Sequence, residues 1–196
     1  MPQGLDNEED SILDASKYIY EPITGEGTTR MLILHNGACE DELAGDLEMA
    51  KLADYPPWKA LSYAWGTTTV YSRIRIGTRF IRISTNLEGA LQILRQKHGD
   101  EYPDRELRLW IDQICIDQEN VQERSQQVQL MFSVYEKAER VLVWLGPDRH
   151  NLAERAFYAI HRVASLTKEQ RKRLRNEDLG ALLSPLELEA VKALLD

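Results

Sequence analysis

Cysteine is nearly absent. Cys39 and Cys115 in 196 residues are too few for a disulfide framework or a cysteine-rich metal site, and neither lies in a CxxC pair. The four histidines, His35, His98, His150 and His161, are scattered without HxxxH or HExxH spacing, so no structural or catalytic zinc is expected. Positive charge is in deficit too. With 24 Lys and Arg against 32 Asp and Glu the net charge is −8, which argues against nucleic acid, whose binding rests on cationic neutralisation of phosphates. The one basic run, KEQRKRLR from Lys168 to Arg175, is diluted by Glu169 and the following NED, and reads as a solvated helix or linker. No apolar run approaches the roughly 20 residues of a membrane span. The acidic opening, MPQGLDNEEDSILDAS, lacks the basic region and apolar segment of a secretory signal. The expectation is a cytosolic chain.

What is present is the composition of a globular domain, 43% hydrophobic and 29% charged. Residues 1–16 read as a flexible acidic lead-in. YIYEPI and RMLILH read as short strands around the turn-rich TGEGTT, which has no GxGxxG pattern and no P-loop lysine. WKALSYAWG, between Pro56-Pro57 and Gly66, fits an interior strand, and RIRIGTRFIRIS alternates around Gly77-Thr78 as a hairpin. STNLEGALQILRQ starts a helix with Thr85 or Asn86 as cap. RLWIDQICID reads as a central strand. The helix after it, NVQERSQQVQLMFSVYEKA, has an expected inward stripe of Val128, Met131, Phe132 and Tyr135. RVLVWLGP is a further strand and NLAERAFYAIHRVASL a further helix. Strand and helix alternate from residue 58 to 166, which predicts an α/β fold with helices flanking a mainly parallel central sheet and an inserted β-hairpin. Residues 17–166 are expected to form the main domain. Residues 167–196 come next as a polar linker and the start of a further helix, opened by Ser184, Pro185 and a capping-box Glu187. That helix has barely begun at Asp196, so the expectation is the front part of a longer protein.

In an open α/β sheet ligands bind beyond the carboxyl ends of the strands. Three exits are polar or aromatic here: Ser62-Tyr63-Trp65-Gly66, Asp112 to Gln118, and Trp144-Gly146. Asp112 is either a catalytic carboxylate or an acceptor for the next turn's backbone. Asp117 reads as a turn former, and Cys115, between two isoleucines, as a small buried hydrophobe. Glu123 completes a capping-box spacing with Asn120, or is a carboxylate offered to a substrate at a helix start. Arg124, placed on the inward stripe, needs an anionic partner, with Asp112 or Asp117 the internal choice and a bound phosphate the external one. Trp65, beside a glycine, is placed to stack on a flat ligand.

Taken in order, YIYEPI, KALSYAWG, ISTNLEGALQILRQ and LWIDQICIDQENVQERSQQVQLMFSVYEKAERVLVWLG resemble the fungal heterokaryon incompatibility domain, the HET domain. The resemblance runs from about Tyr18 to Gly146. Gln113 stands where a small residue is more usual, a minor departure. The resemblance implies a cell-death domain of fungal nonself recognition at the head of a longer chain. It implies also a remote similarity to TIR domains and a TIR-like or flavodoxin-like fold, since LSYAWG is similar to the strand that opens a TIR domain. Some TIR domains cleave NAD and others only assemble, so two functions are carried forward. In the first, an NAD glycohydrolase, Glu123 is the first choice for the catalytic carboxylate and Asp112 the second. Arg124 would hold a phosphate, Trp65 with Tyr63 would line the base pocket, and Ser62 and Gly66 would be further binding residues, with NAD as substrate and no resident cofactor. In the second, the domain signals without catalysis through self-association or another incompatibility protein.

Overall fold

The computed structural model describes residues 16–38, 40–66, 70–148, 152–170 and 183–195. They fall into two compact units, residues 1–146 and 147–196. In the first unit, β1 (Thr28–Leu34) is buried along almost all of its length, Thr29 and Arg30 as well as the apolar Met31 to Leu34, the burial of a strand covered on both faces. β2 (Ala44–Lys51) returns antiparallel beside it, with Thr28 opposite Lys51 and Leu34 opposite Gly45. β3 (Lys59–Tyr63), β4 (Tyr71–Ile76), β5 (Arg79–Ser84), α1 (Thr85–Glu101), β6 (Leu107–Trp110), the single turn α2 (Asp112–Cys115), α3 (Val121–Lys137) and β7 (Arg140–Trp144) complete it. The strands among the described residues form one sheet in the order β5-β4-β2-β1-β6-β3-β7.

The α/β class and the inserted hairpin stand, while the sheet is mixed rather than mainly parallel. Pairs β6/β3, β3/β7 and β2/β4 are parallel, and β1/β2, β1/β6 and β4/β5 antiparallel. Short loops can only return a strand antiparallel, whereas helical crossovers allow parallel neighbours. The loop at residues 35–43 and the Gly77 turn, with its φ of 60°, make the first kind. The helices after β5 and β6 carry the chain to β6 and then to β7, which lie on either side of β3 and parallel to it.

Neighbouring residues of a strand point to opposite faces, and the core divides accordingly. Leu32, Leu34 and Leu109 join Leu87, Ala90 and Leu91 of α1 in one cluster. Met31 and Trp110 join Trp58 and Val134 of α3 in the other.

Several local expectations are corrected. Tyr18 to Ile23 is not a strand. One bridge, Lys17 to Phe80, marks its start, and side chains hold the rest, with Tyr20 Oη donating to the Ile114 carbonyl at 3.0 Å. β2 was not expected, because AGDLEMAK carries weak strand formers and is held by its ladder to β1. Helix α1 is capped one residue earlier than expected, by Ser84, whose Oγ accepts the Leu87 N–H at 3.2 Å. RLWIDQICID is strand only to Trp110, after which the chain winds into α2 and the Cys115 N–H donates back to the Ile111 carbonyl at 2.7 Å. On α3 the buried positions are Glu123, Gln127 and Val134, while Val128 and Phe132 are 55% and 74% exposed. Met131 and Tyr135 are half-buried against the core.

In the second unit, α4 (Ala153–Ala164) starts under the Asp148 carboxylate, which accepts the N–H groups of Leu152 and Ala153. α5 (Pro185–Leu195) carries the expected capping box. The Ser184 N–H donates to Glu187 Oε2 at 2.7 Å, and Ser184 Oγ accepts the Glu187 N–H at 3.3 Å. Residues 1–15 and 171–182, which hold the acidic lead-in and most of the basic run, lie outside the described residues.

Candidate functional site

The parallel register sets Ala60 beside Trp110 and Tyr63 beside Trp144, so β6, β3 and β7 all end at one edge of the sheet. β3 runs three residues past its last pairing with β6, which carries Tyr63 and Trp65 over the start of α2. There Trp65 Nε1 donates to Asp112 Oδ2 at 2.9 Å, and Tyr63 Oη donates to Gln113 Oε1 at 2.9 Å. Gln113 Oε1 also accepts the Ser84 N–H at 3.3 Å, which ties the α1 cap to the same cluster. Gly66, with φ of 77°, turns the chain immediately after the indole. Ser62 is half-buried on β3 opposite Val143. Asn86 closes the far side, donating to the Ala64 carbonyl at 2.8 Å and accepting from Trp144 Nε1 at 2.9 Å.

Two chemically distinct carboxylates flank α2. Asp112, half-buried, takes the Trp65 indole on one oxygen and the Gln113 N–H on the other at 2.7 Å. Burial raises its pKa, against the lowering effect of those hydrogen bonds. Burial, and then the adjacent Asp112 charge, push the Tyr63 phenol far above its ordinary value, so this hydroxyl is a donor at any physiological pH. Trp65 remains 40% exposed. An acid of raised pKa thus lies against a solvent-facing ring at the strand ends.

Glu123 is differently placed. It is 7% exposed and forms a two-pronged ion pair with Arg30, itself 2% exposed: Nη1 to Oε1 at 2.6 Å and Nη2 to Oε2 at 3.0 Å. Oε1 also accepts the Asp117 N–H at 2.8 Å. Arg30 in turn donates to the Cys115 carbonyl at 3.1 Å and to the Glu21 carbonyl, under the Tyr20 ring at 4.8 Å. Asn120 caps the helix as expected, its Oδ1 accepting the Glu123 N–H at 3.1 Å. The reciprocal half of the box is replaced by the Asp117 amide and Arg30. A shallow hollow of about 230 Å³ lies beside this carboxylate, between Pro22-Ile23 and the first turns of α3.

Arg124 is exposed, because the side of α3 that carries Val128 faces outward and not inward as expected, and its Nη1 donates to the Gln118 carbonyl at 2.9 Å. Gln118 Nε2 donates to the Asp112 carbonyl at 2.7 Å. The indole, the acid and the guanidinium therefore lie along one hydrogen-bonded chain, Trp65–Asp112–Gln118–Arg124. Cys115 is fully buried, and burial pushes its thiol up to about 12, which excludes it as a nucleophile at neutral pH. The sequence reading missed Arg30, which is 93 residues from its partner, and the linking roles of Gln113 and Asn86. Among the described residues no group of His, Cys, Asp and Glu could hold a metal ion, and no helix is long and apolar enough to cross a membrane.

Fold and site together define an α/β domain whose mixed sheet gathers an acid, an indole and a phenol at the ends of its parallel strands. The profile of the heterokaryon incompatibility protein (HET) family matches residues 58–192, and the chain belongs to that family. It is similar to heterokaryon incompatibility protein 6, OR allele, of Neurospora crassa, at 39% identity over 127 residues, covering 60% of this chain and 18% of that protein. The chain thus spans less than a fifth of that relative's length. No solved structure matches.

Proposed function

We propose that this chain is the incompatibility domain of a fungal nonself-recognition protein, acting in the cytoplasm as a cell-death effector, and that it does so by TIR-like cleavage of NAD at the strand-exit cluster. Family membership supports the biological role. The observation that carries the chemical one is Asp112, a half-buried carboxylate of raised pKa held by the exposed Trp65 indole where two parallel strands end.

Rupture of the bond between the ribose C1′ and the nicotinamide nitrogen sends the electron pair to a ring that is cationic beforehand and neutral afterwards. The leaving group needs no proton, and water adds at C1′ and gives up a proton to solvent. One anion beside the developing oxocarbenium charge is the main requirement. Asp112 meets it better than Glu123, whose charge is already neutralised by Arg30. Trp65 offers a stacking face and Arg124, at the end of the same chain of hydrogen bonds, a phosphate ligand.

The purified chain, concentrated enough to self-associate, is expected to release nicotinamide from NAD, followed by chromatography. Asp112→Asn keeps an oxygen for the Trp65 N–H and should abolish release while preserving the fold. Because the ionised form works, release by the parent rises with pH through the elevated pKa of Asp112. Absence of release from a folded, concentrated sample would defeat the catalytic reading.

A second reading, signalling by assembly, is favoured by one observation. Val121, Val128 and Phe132 form an apolar row on the outer side of α3 at 63%, 55% and 74% exposure. In that case Phe132→Ser abolishes self-association and toxicity while Asp112→Asn does neither.

A further inference from the structure

The outer face of the β4–β5 hairpin is basic in an acidic molecule. Alternation sends Ile74, Ile76, Ile81 and Ile83 into the core, and the register puts Arg73 directly opposite Arg82 and Arg75 opposite Phe80 on the other face. Like charges facing each other across an antiparallel pair destabilise it, so the pairing calls for a compensating anion. The guanidinium groups are held flat. Arg73 lies over the Phe80 ring at 4.4 Å and Arg82 over the Tyr71 ring at 4.1 Å. A ring occupies the face of a guanidinium and leaves its N–H donors for a carboxylate. Among the described residues one acid pairs with these arginines: Glu42, at 2.8 Å from Arg75 Nε and 4.0 Å from Arg73 Nη2. Arg73 and Arg75 thus share one carboxylate, and Arg82 has no ion pair among the described residues, in a chain of net charge −8.

The hairpin is also where the N-terminal stretch is fastened. The Phe80 N–H donates to the Ser16 carbonyl at 2.9 Å, the Tyr18 N–H to the Phe80 carbonyl at 2.8 Å, and Arg79 Nη1 to the Lys17 carbonyl at 3.0 Å. The sequence before Ser16 carries Asp6, Glu8, Glu9, Asp10 and Asp14 and no Lys or Arg. A chain reaches at most about 3.3–3.6 Å per residue, so ten residues span the roughly 20 Å length of a hairpin strand. Tethering at such range gives an effective concentration on the order of millimolar.

We propose that the Arg73–Arg75–Arg82 face is a docking surface for an acidic peptide segment, and that its occupant is the chain's own stretch Asp6 to Asp14. Carboxylates from that stretch supply an anion to Arg82 and relieve the sharing of Glu42 by Arg73 and Arg75. The contact is electrostatic and exposed, so salt weakens it.

The test uses the full chain and a variant with Asp6, Asp10 and Asp14 changed to Asn and Glu8 and Glu9 to Gln, compared by backbone-amide NMR at low salt. Shifts between the two are expected over Tyr71–Ile76 and Arg79–Ser84, and they should collapse in 0.5 M NaCl. A synthetic peptide of residues 5–16 should bind the neutralised variant at least tenfold more tightly than the parent, whose surface is already filled. Adding Arg82→Glu to the neutralised variant should abolish that binding, with near-ultraviolet circular dichroism reporting folding. Arg82→Gln replaces it if the charge reversal does not fold. Identical hairpin spectra for parent and neutralised chain, or equal peptide binding with and without Arg82, overturn the proposal. So does a single-stranded oligonucleotide that moves the hairpin amides when the peptide does not, since the face would then belong to nucleic acid.

Discussion

Arg30 and Glu123 show how a buried charge pair constrains what each member can do. Removing two ions from water is costly, and their attraction offsets the cost only when geometry is good and the remaining hydrogen bonds are filled. Here Glu123 has both guanidinium nitrogens and the Asp117 amide, and Arg30 has the carbonyls of Cys115 and Glu21 in addition, with its Nε alone left buried without a hydrogen-bond partner among the described residues. Glu123→Ala leaves an uncompensated cation in the interior and is expected to lose about 3–5 kcal/mol of stability, read from urea unfolding. The double change Arg30→Met with Glu123→Leu should lose far less than the sum of the single changes. A loss of activity in Glu123→Ala therefore reports folding rather than chemistry. Asp112 works in the other direction. Its folded pKa lies above its unfolded value, so ionising it opposes folding, and between the two values stability falls as pH rises. Asp112→Asn removes that opposition but leaves one of the Trp65 and Gln113 N–H donors without its acceptor, so the two effects offset and its stability at pH 7 is expected to stay within about 1 kcal/mol of the parent's, read from urea unfolding.

Among the elements, α3 separates packing from exposure most clearly. Its inner line is Glu123, Gln127 and Val134, with Leu130, Met131 and Tyr135 at the border of the core, and its apolar outer row makes none of that core. Phe132→Ser should leave the unfolding midpoint within about 0.5 kcal/mol, as surface changes do. It should raise the concentration at which the chain associates, measured by sedimentation. An unchanged association profile would release α3 from any part in assembly. The same helix shows how far local pattern reaches. Its existence, cap and approximate limits are legible in the sequence, as are α1, the β4–β5 hairpin and the convergence of the Tyr63 and Asp112 exits. Its buried face is not. Val128 and Phe132 satisfied the apolar template, while the position that is buried at the helix start is a glutamate whose partner sits on β1. Hydrophobic periodicity carries no term for an ion pair formed across 93 residues. β2 was hidden for a related reason, since its strand character resides in seven cross-strand partners and not in AGDLEMAK itself.

Across the whole molecule, both apolar clusters are complete within residues 1–146. A chain ended at Gly146 is expected to keep a sheet-containing circular dichroism spectrum and to melt in one cooperative step. A gradual, featureless melt would show that the first unit needs residues 147–196 for its stability. The strand order has one more consequence, which concerns synthesis. β3 is made early, yet both of its neighbours, β6 and β7, come later in the chain. At a translation rate of roughly 5–20 residues per second, the roughly 47 residues between Tyr63 and Trp110 take on the order of 2–10 s to emerge. Throughout that interval KALSY leaves the ribosome with nothing to pair with, so the nascent polypeptide presents a sticky, half-built edge that ribosome-associated chaperones are suited to shield.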